Sequence, residues 1–131
     1  MKYLLDTNIC IGIINGKEPI LREKLKALSK SEVVISSVVK AELLYGVKKS
    51  QQRGKNEHRI EIFFSEIQSL PFDDDSANQY GALRALLEQA GISVGANDLM
   101  IAAIAQQHRL TVVTRNEREF GMIPSLKIEV W

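Results

Sequence analysis

The chain has a single cysteine, Cys10, so no intrachain disulfide can form and no multi-cysteine zinc site can be built. Its two histidines, His58 and His108, have no partners at metal-ligand spacing and are read as structural or solvated. It contains no glycine-rich phosphate loop of the kind used by nucleotide enzymes. No repeat, low-complexity tract or linker interrupts it, so residues 1–131 are read as one domain. Long apolar runs are missing as well: Tyr3-Leu4-Leu5 meets Asp6 at once, far short of a signal peptide or membrane span. The expectation from these absences is a soluble, cytoplasmic protein in a reducing compartment. A net charge of +1 lacks the excess that would by itself announce nucleic acid.

The charge that is present is unevenly distributed. Residues 1–59 hold 12 Lys/Arg against 6 Asp/Glu, and residues 60–131 hold 5 against 10. Such asymmetry suits either solvated helices of opposite sign or a basic surface beside an acidic pocket.

Short continuous apolar segments alternate with helical patterns. Tyr3–Leu5, Val33–Ile35, Leu110–Val113 and Leu126–Val130 read as buried strands. Between them the periodicity predicts helices over Ile9–Ile14 (capped by Thr7 or Asn8), Glu18–Lys30, Val38–Ser50, Glu57–Leu70 and Ala77–Ala90. Pro71-Phe72 is either a short strand or a connection. A further helix follows Gly95, with Asn97 or Asp98 as its cap and an apolar run from Leu99 to Ala105. Strands of this kind interleaved with helices indicate an α/β fold, three layers deep, with a largely parallel sheet of about five strands. In such sheets ligands bind at the carboxyl ends of the strands, where Asp6, Ser36-Ser37 and Thr114-Arg115-Asn116 fall.

Four acidic residues occupy positions that solubility does not explain. Asp6 ends a buried strand, and Glu42 interrupts a helix that is apolar nearly all round. Asp98 opens the apolar helix, and Glu119 closes the turn after the third of these strands. Carboxylates gathered without Cys or His suit a hard cation, Mg²⁺ or Mn²⁺, and so the hydrolysis of a phosphodiester. Each also has an ordinary reading as a cap, a turn residue or a surface pair. Asp73-Asp74-Asp75 resembles a metal cluster at first sight but is read as the start of a helix.

The segments Leu4-Leu5-Asp6-Thr7-Asn8, Ile35-Ser36-Ser37 with Ala41-Glu42-Leu43-Tyr45-Gly46, Gly95–Ala103 and Val113–Phe120 together resemble the successive motifs of PIN-domain ribonucleases. Within that family the whole chain is similar to VapC toxins of type II toxin–antitoxin pairs. The resemblance implies a PIN-like α/β/α fold and an Mg²⁺-dependent endoribonuclease. Asp6 and Asp98 would be the principal metal ligands, supported by Glu42 and Glu119. Thr114, Asn116 and Ser36 would be polar helpers, although the family commonly has Asp where Glu119 stands. It further implies a VapB-type antitoxin, dimerisation and an RNA substrate, in this subgroup the initiator tRNA cut in its anticodon stem-loop. Lys48, Lys49 and Arg115 are the basic residues expected to meet the RNA backbone. Two alternatives compete with this reading. One is an Mg²⁺-dependent α/β phosphatase, weakened because Asn8 stands where a second Asp is usual. The other is a non-enzymatic binding module whose carboxylates serve only as caps.

Overall fold

The computed structural model describes residues 1–131. Five strands form one sheet: β1 (Tyr3–Leu5), β2 (Val33–Ser36), β3 (Gln68–Leu70), β4 (Thr111–Val113) and β5 (Ile128–Glu129), in the spatial order β3-β2-β1-β4-β5. Every neighbouring pair is parallel. Tyr3, Leu4 and Leu5 pair with Thr111, Val112 and Val113, and Tyr3 and Leu4 with Val33 and Val34 on the other side. The central strands are buried along their whole length, which is why their sequences do not alternate with polar residues.

Seven helices fill the connections: α1 (Thr7–Asn15), α2 (Pro19–Lys26), α3 (Ser37–Lys48), α4 (Arg53–Glu66), α5 (Asp74–Gln89), α6 (Ala96–Gln107) and α7 (Glu117–Phe120). From β1 the chain steps outward to β2 and β3, then returns across the sheet to β4 and β5. With right-handed crossovers, that reversal puts α1–α4 on one face and α5–α7 on the other. The packing agrees: α1 touches α2, α3 and α4, while α6 touches α5 and α7; α3 and α6 also meet, across the two groups. β1 and β4 therefore meet at the point where the winding changes direction, and a crevice opens beyond their carboxyl ends.

The core is one cluster of 26 buried residues, with Leu4, Leu5, Ile35, Val112, Ile101, Ile104 and Phe120 among its fully enclosed members. In α6 the run Ile101–Ala105 is wholly inaccessible. The opening of that helix is thus fixed relative to the sheet.

Several local expectations are corrected. The helix predicted over Glu57–Leu70 begins earlier, at Arg53, and ends at Glu66; its last residues are β3. Ile67 turns extended, and Ser69 and Leu70 pair with Ile35 and Ser36, so sheet pairing prevails over a helical spacing of apolar residues. Pro71-Phe72 is a connection. The helix predicted over Glu18–Lys30 stops at Lys26, and Ser29 and Glu32 form a capping box around a single 3₁₀ turn. α3 is not buried on all sides: only Val39 and Leu43 are enclosed, and Leu44 and Tyr45 are exposed.

Candidate active site

The end of β1 delivers Asp6 into the crevice as the N-cap of α1, a role expected of Thr7 or Asn8. Its Oδ1 accepts the Thr7 backbone N–H at 2.8 Å. Oδ2 accepts the Thr114 hydroxyl, also at 2.8 Å, from the end of β4. Thr114 is fully buried and its hydroxyl oxygen in turn accepts the Asn116 N–H at 2.9 Å, so one side chain fixes both Asp6 and the loop that follows. Burial raises the Asp6 carboxyl above its ordinary value, and the negative charges of Glu42 and Glu119 add to this. The bonds from Thr114 and Thr7 oppose the rise without cancelling it.

Asp98 stands at the third position of α6, whose N-cap is Gly95 and lacks a side-chain cap. The predicted cap at Asn97 or Asp98 is therefore displaced. The free N–H at Gly95 is instead satisfied from another element: Glu119, on α7, accepts it through Oε1 at 2.8 Å. Gly95 suits this approach, since a Cβ there would stand 3.4 Å from the same oxygen. Asn116 donates through Nδ2 to Asp98 Oδ2 at 3.2 Å and to Glu119 Oε2 at 2.8 Å, holding the two acids side by side.

Donors divide unequally between them. The Gly95 N–H, then Asp98 and Asn116, keep the Glu119 carboxyl below its usual range. Asp98 is pushed up to about 7, first by burial, then by its bond to Glu119 and by the charges of Asp6, Glu119 and Glu42. Of the two acids, Asp98 is therefore the one that keeps its proton to the higher pH.

Glu42 projects from α3, and its Oε1 accepts the Thr7 hydroxyl at 2.8 Å. Lys40, the surface partner that an ordinary reading would give it, lies over the Phe64 ring instead. Thr7, expected only as a cap, joins Asp6 through its backbone and Glu42 through its side chain. The signal for it was a hydroxyl residue directly after a strand-ending acid.

The structure thus brings Asp6, Glu42, Asp98, Glu119, Thr114 and Asn116 together. Ser36 is fully buried and its hydroxyl accepts the Val39 N–H as the N-cap of α3, so it positions the helix that carries Glu42. Lys48 pairs with Glu57 of α4, and Arg115 pairs with Glu18. Lys49 has no acidic partner and lies over the Tyr45 ring. Neither histidine bonds to the four acids.

None of the four carboxylates has a Lys or Arg partner; the ion pairs of the chain lie elsewhere. Mutual repulsion at a half-buried site, relieved only by a retained proton, is the electrostatic situation that a divalent cation neutralises. No three of these side chains close tightly enough to enclose an ion alone. A hard cation held here would bind one or two carboxylates and keep several waters.

A PIN domain profile matches residues 3–124. The chain is 42% identical to ribonuclease VapC2 of Rickettsia felis over 132 residues, covering 100% of this chain and 98% of that protein. It is also 42% identical to the tRNA(fMet)-specific endonuclease VapC of Shigella flexneri, with coverage of 100% and 98%. Among solved structures, the VapBC2 complex of Rickettsia felis bound to a promoter DNA fragment contains a chain that superposes with a TM-score of 0.94 at 42% identity, with 100% and 99% covered. These relationships give no support to the phosphatase alternative. With its reversal-point crevice, its metal-suited acids and full-length similarity to named ribonucleases, the chain belongs to the PIN-domain family, within its VapC ribonuclease branch.

Proposed function

We propose that residues 1–131 form one PIN domain acting as the toxin of a type II toxin–antitoxin pair, a Mg²⁺-dependent endoribonuclease of the cytoplasm with initiator tRNA as its substrate. The observation that carries this reading is the set of four acidic side chains without basic partners at the β1/β4 crevice. Asp6 and Asp98 would hold the ion, with Glu42 and Glu119 beside them; Mn²⁺ suits the same oxygen donors. When bound, the ion supplies Lewis-acid polarisation and charge neutralisation at a phosphodiester.

The chain's own groups do the rest. Thr114 and the Thr7 N–H fix the Asp6 carboxylate, and the Thr7 hydroxyl fixes Glu42. Asn116 sets the distance between Asp98 and Glu119, and Glu119 anchors the start of α6. Asp98 holds a proton that it must surrender before it can serve as a ligand, so metal binding and proton release are coupled. One relative is named a tRNA(fMet)-specific endonuclease and a solved neighbour is a VapBC complex, which supports a VapB-type antitoxin as partner and the initiator tRNA as target. Inhibition by that antitoxin and a cut in the anticodon stem-loop are what the family resemblance implies. A homodimer is the assembly expected.

The test uses the purified chain freed of antitoxin and incubated with initiator tRNA, with Mg²⁺ or with EDTA. Cleavage with Mg²⁺, its loss with EDTA, and RNA ends mapped to the anticodon stem-loop are expected. Intact tRNA under both conditions at enzyme excess overturns the reading. Cleavage of other RNAs alone overturns the substrate assignment.

A further inference from the structure

The chain has eight aromatic side chains, and seven of them are buried or half-buried. Tyr45 alone is exposed, at 66%. It lies one helical turn beyond Glu42 on α3, and Lys49 lies one turn further, so acid, ring and cation share one face of that helix. This face borders an open groove of about 760 Å³, whose walls also include Thr7, Ile11 and Met100. The groove reaches the site at the Thr7–Glu42 pair and at Asn97, the neighbour of Asp98 in sequence.

The Tyr45 ring contributes little to the core, and Lys49 Nζ stands 5.0 Å from its centroid. Gly46, which follows it, makes the same point: a Cβ there would meet nothing within 4 Å, so close packing does not explain a glycine inside a helix. The missing side chain keeps the groove floor low beside the ring. Both residues border a groove that one of the four acids, Glu42, also lines.

We infer that Tyr45 is a stacking platform for one unpaired base of the RNA, adjacent to the phosphodiester held at the carboxylates, with Lys49 meeting the neighbouring phosphate. An aromatic face accepts any base, and a nearby cation tracks the backbone without reading sequence. Sequence-specific RNA binding commonly uses unstacked loop bases held in this way. The platform therefore selects for a looped strand over a duplex. It rests on the ribonuclease reading above and assigns a substrate subsite within it.

Steady-state cleavage of an RNA stem-loop by the full chain, with Tyr45→Phe, Tyr45→Leu and Tyr45→Ala variants, tests it. Tyr45→Phe should keep KM within about twofold, whereas Tyr45→Leu and Tyr45→Ala should raise it by about tenfold, with a smaller change in kcat. Molar mass by light scattering should be the same throughout. An unchanged KM in Tyr45→Ala overturns the platform. So does a Tyr45→Leu variant that behaves like wild type, because apolar contact would then suffice. A fall in molar mass that accompanies the loss also overturns it, by making the ring a contact between copies. If the wild-type chain cleaves no RNA, the ribonuclease reading fails separately. Affinity for a single-stranded oligonucleotide then decides the platform, and equal affinity of wild type and Tyr45→Ala counts against it.

Discussion

Two acidic regions of this molecule are opposites. Asp73, Asp74 and Asp75 are adjacent in sequence, yet they do not form a site. Asp73 caps α5, accepting the Ser76 N–H at 2.9 Å, the Ser76 hydroxyl at 3.0 Å and Gln107 Nε2 at 3.2 Å. These donors hold its carboxyl below the ordinary value, the Ser76 backbone bond contributing most. Asp6, Glu42, Asp98 and Glu119 are scattered along the chain and converge at the β1/β4 crevice, where burial outweighs the donors at Asp6 and Asp98 and drives both carboxyls upward. Acid density in sequence predicts little. The balance of donors against desolvation decides whether an acid stabilises a helix or is held in readiness for a cation.

The largest expected effect separates the regions by activity. Asp6→Asn and Asp98→Asn should each lower Mg²⁺-dependent RNA cleavage by at least about 100-fold while circular dichroism stays native. Asp74→Asn should cleave like wild type. Comparable losses in all three variants would erase the distinction.

A second prediction uses the opposite signs of the pKa shifts. Asp98 titrates near 7 in the folded chain against an ordinary 3.8, so the unfolded chain releases this proton first and rising pH favours unfolding. Asp98→Asn should therefore stabilise the metal-free protein. The advantage should be absent below about pH 4, grow towards pH 7, and level off above it at on the order of 1 kcal/mol after allowing for solvent screening. Denaturant unfolding at several pH values in EDTA measures this, and Mg²⁺ should shrink the gap by stabilising the wild type alone. A constant difference across pH would contradict the assigned proton.

The smallest effect belongs to the other region. Asp73→Ala should lower the melting temperature by roughly 3–6 °C near neutral pH, with RNA cleavage unchanged. Because the Asp73 carboxyl is held below 3.8 in the fold, its stabilisation is present above that value and disappears as pH falls through the lowered one. Thermal melts between pH 2 and pH 7 would show the two variants converging in acid.

Much of this contrast could be read before the fold was seen. Continuous apolar strands ending in Asp6, Ser36 and Thr114 placed the polar groups at one sheet edge, and that expectation matches the parallel sheet. β3 escaped because Ile60, Phe63, Phe64 and Ile67 have helical spacing and only Leu70 of the strand is fully buried. At the site, the gathering of these acids near one sheet edge was legible, but the bonds that tie them together were not. Those bonds join distant segments, Thr7 to Glu42 and Gly95 to Glu119, as does the ion pair of Arg115 with Glu18. Ser36 likewise looked like a site residue because a strand end and a helix cap can be the same position.

The bond from Thr114 to Asp6 spans 108 residues of chain and joins the first strand to the fourth. A ribosome adds Asp6 108 residues before Thr114, so a growing chain holds Asp6 and Glu42 long before it can fix the first of them. The nascent chain therefore lacks a finished site for most of its synthesis, and products truncated before β4 remain without one. Winding the sheet back upon its first strand defers the nuclease until the whole domain has been made.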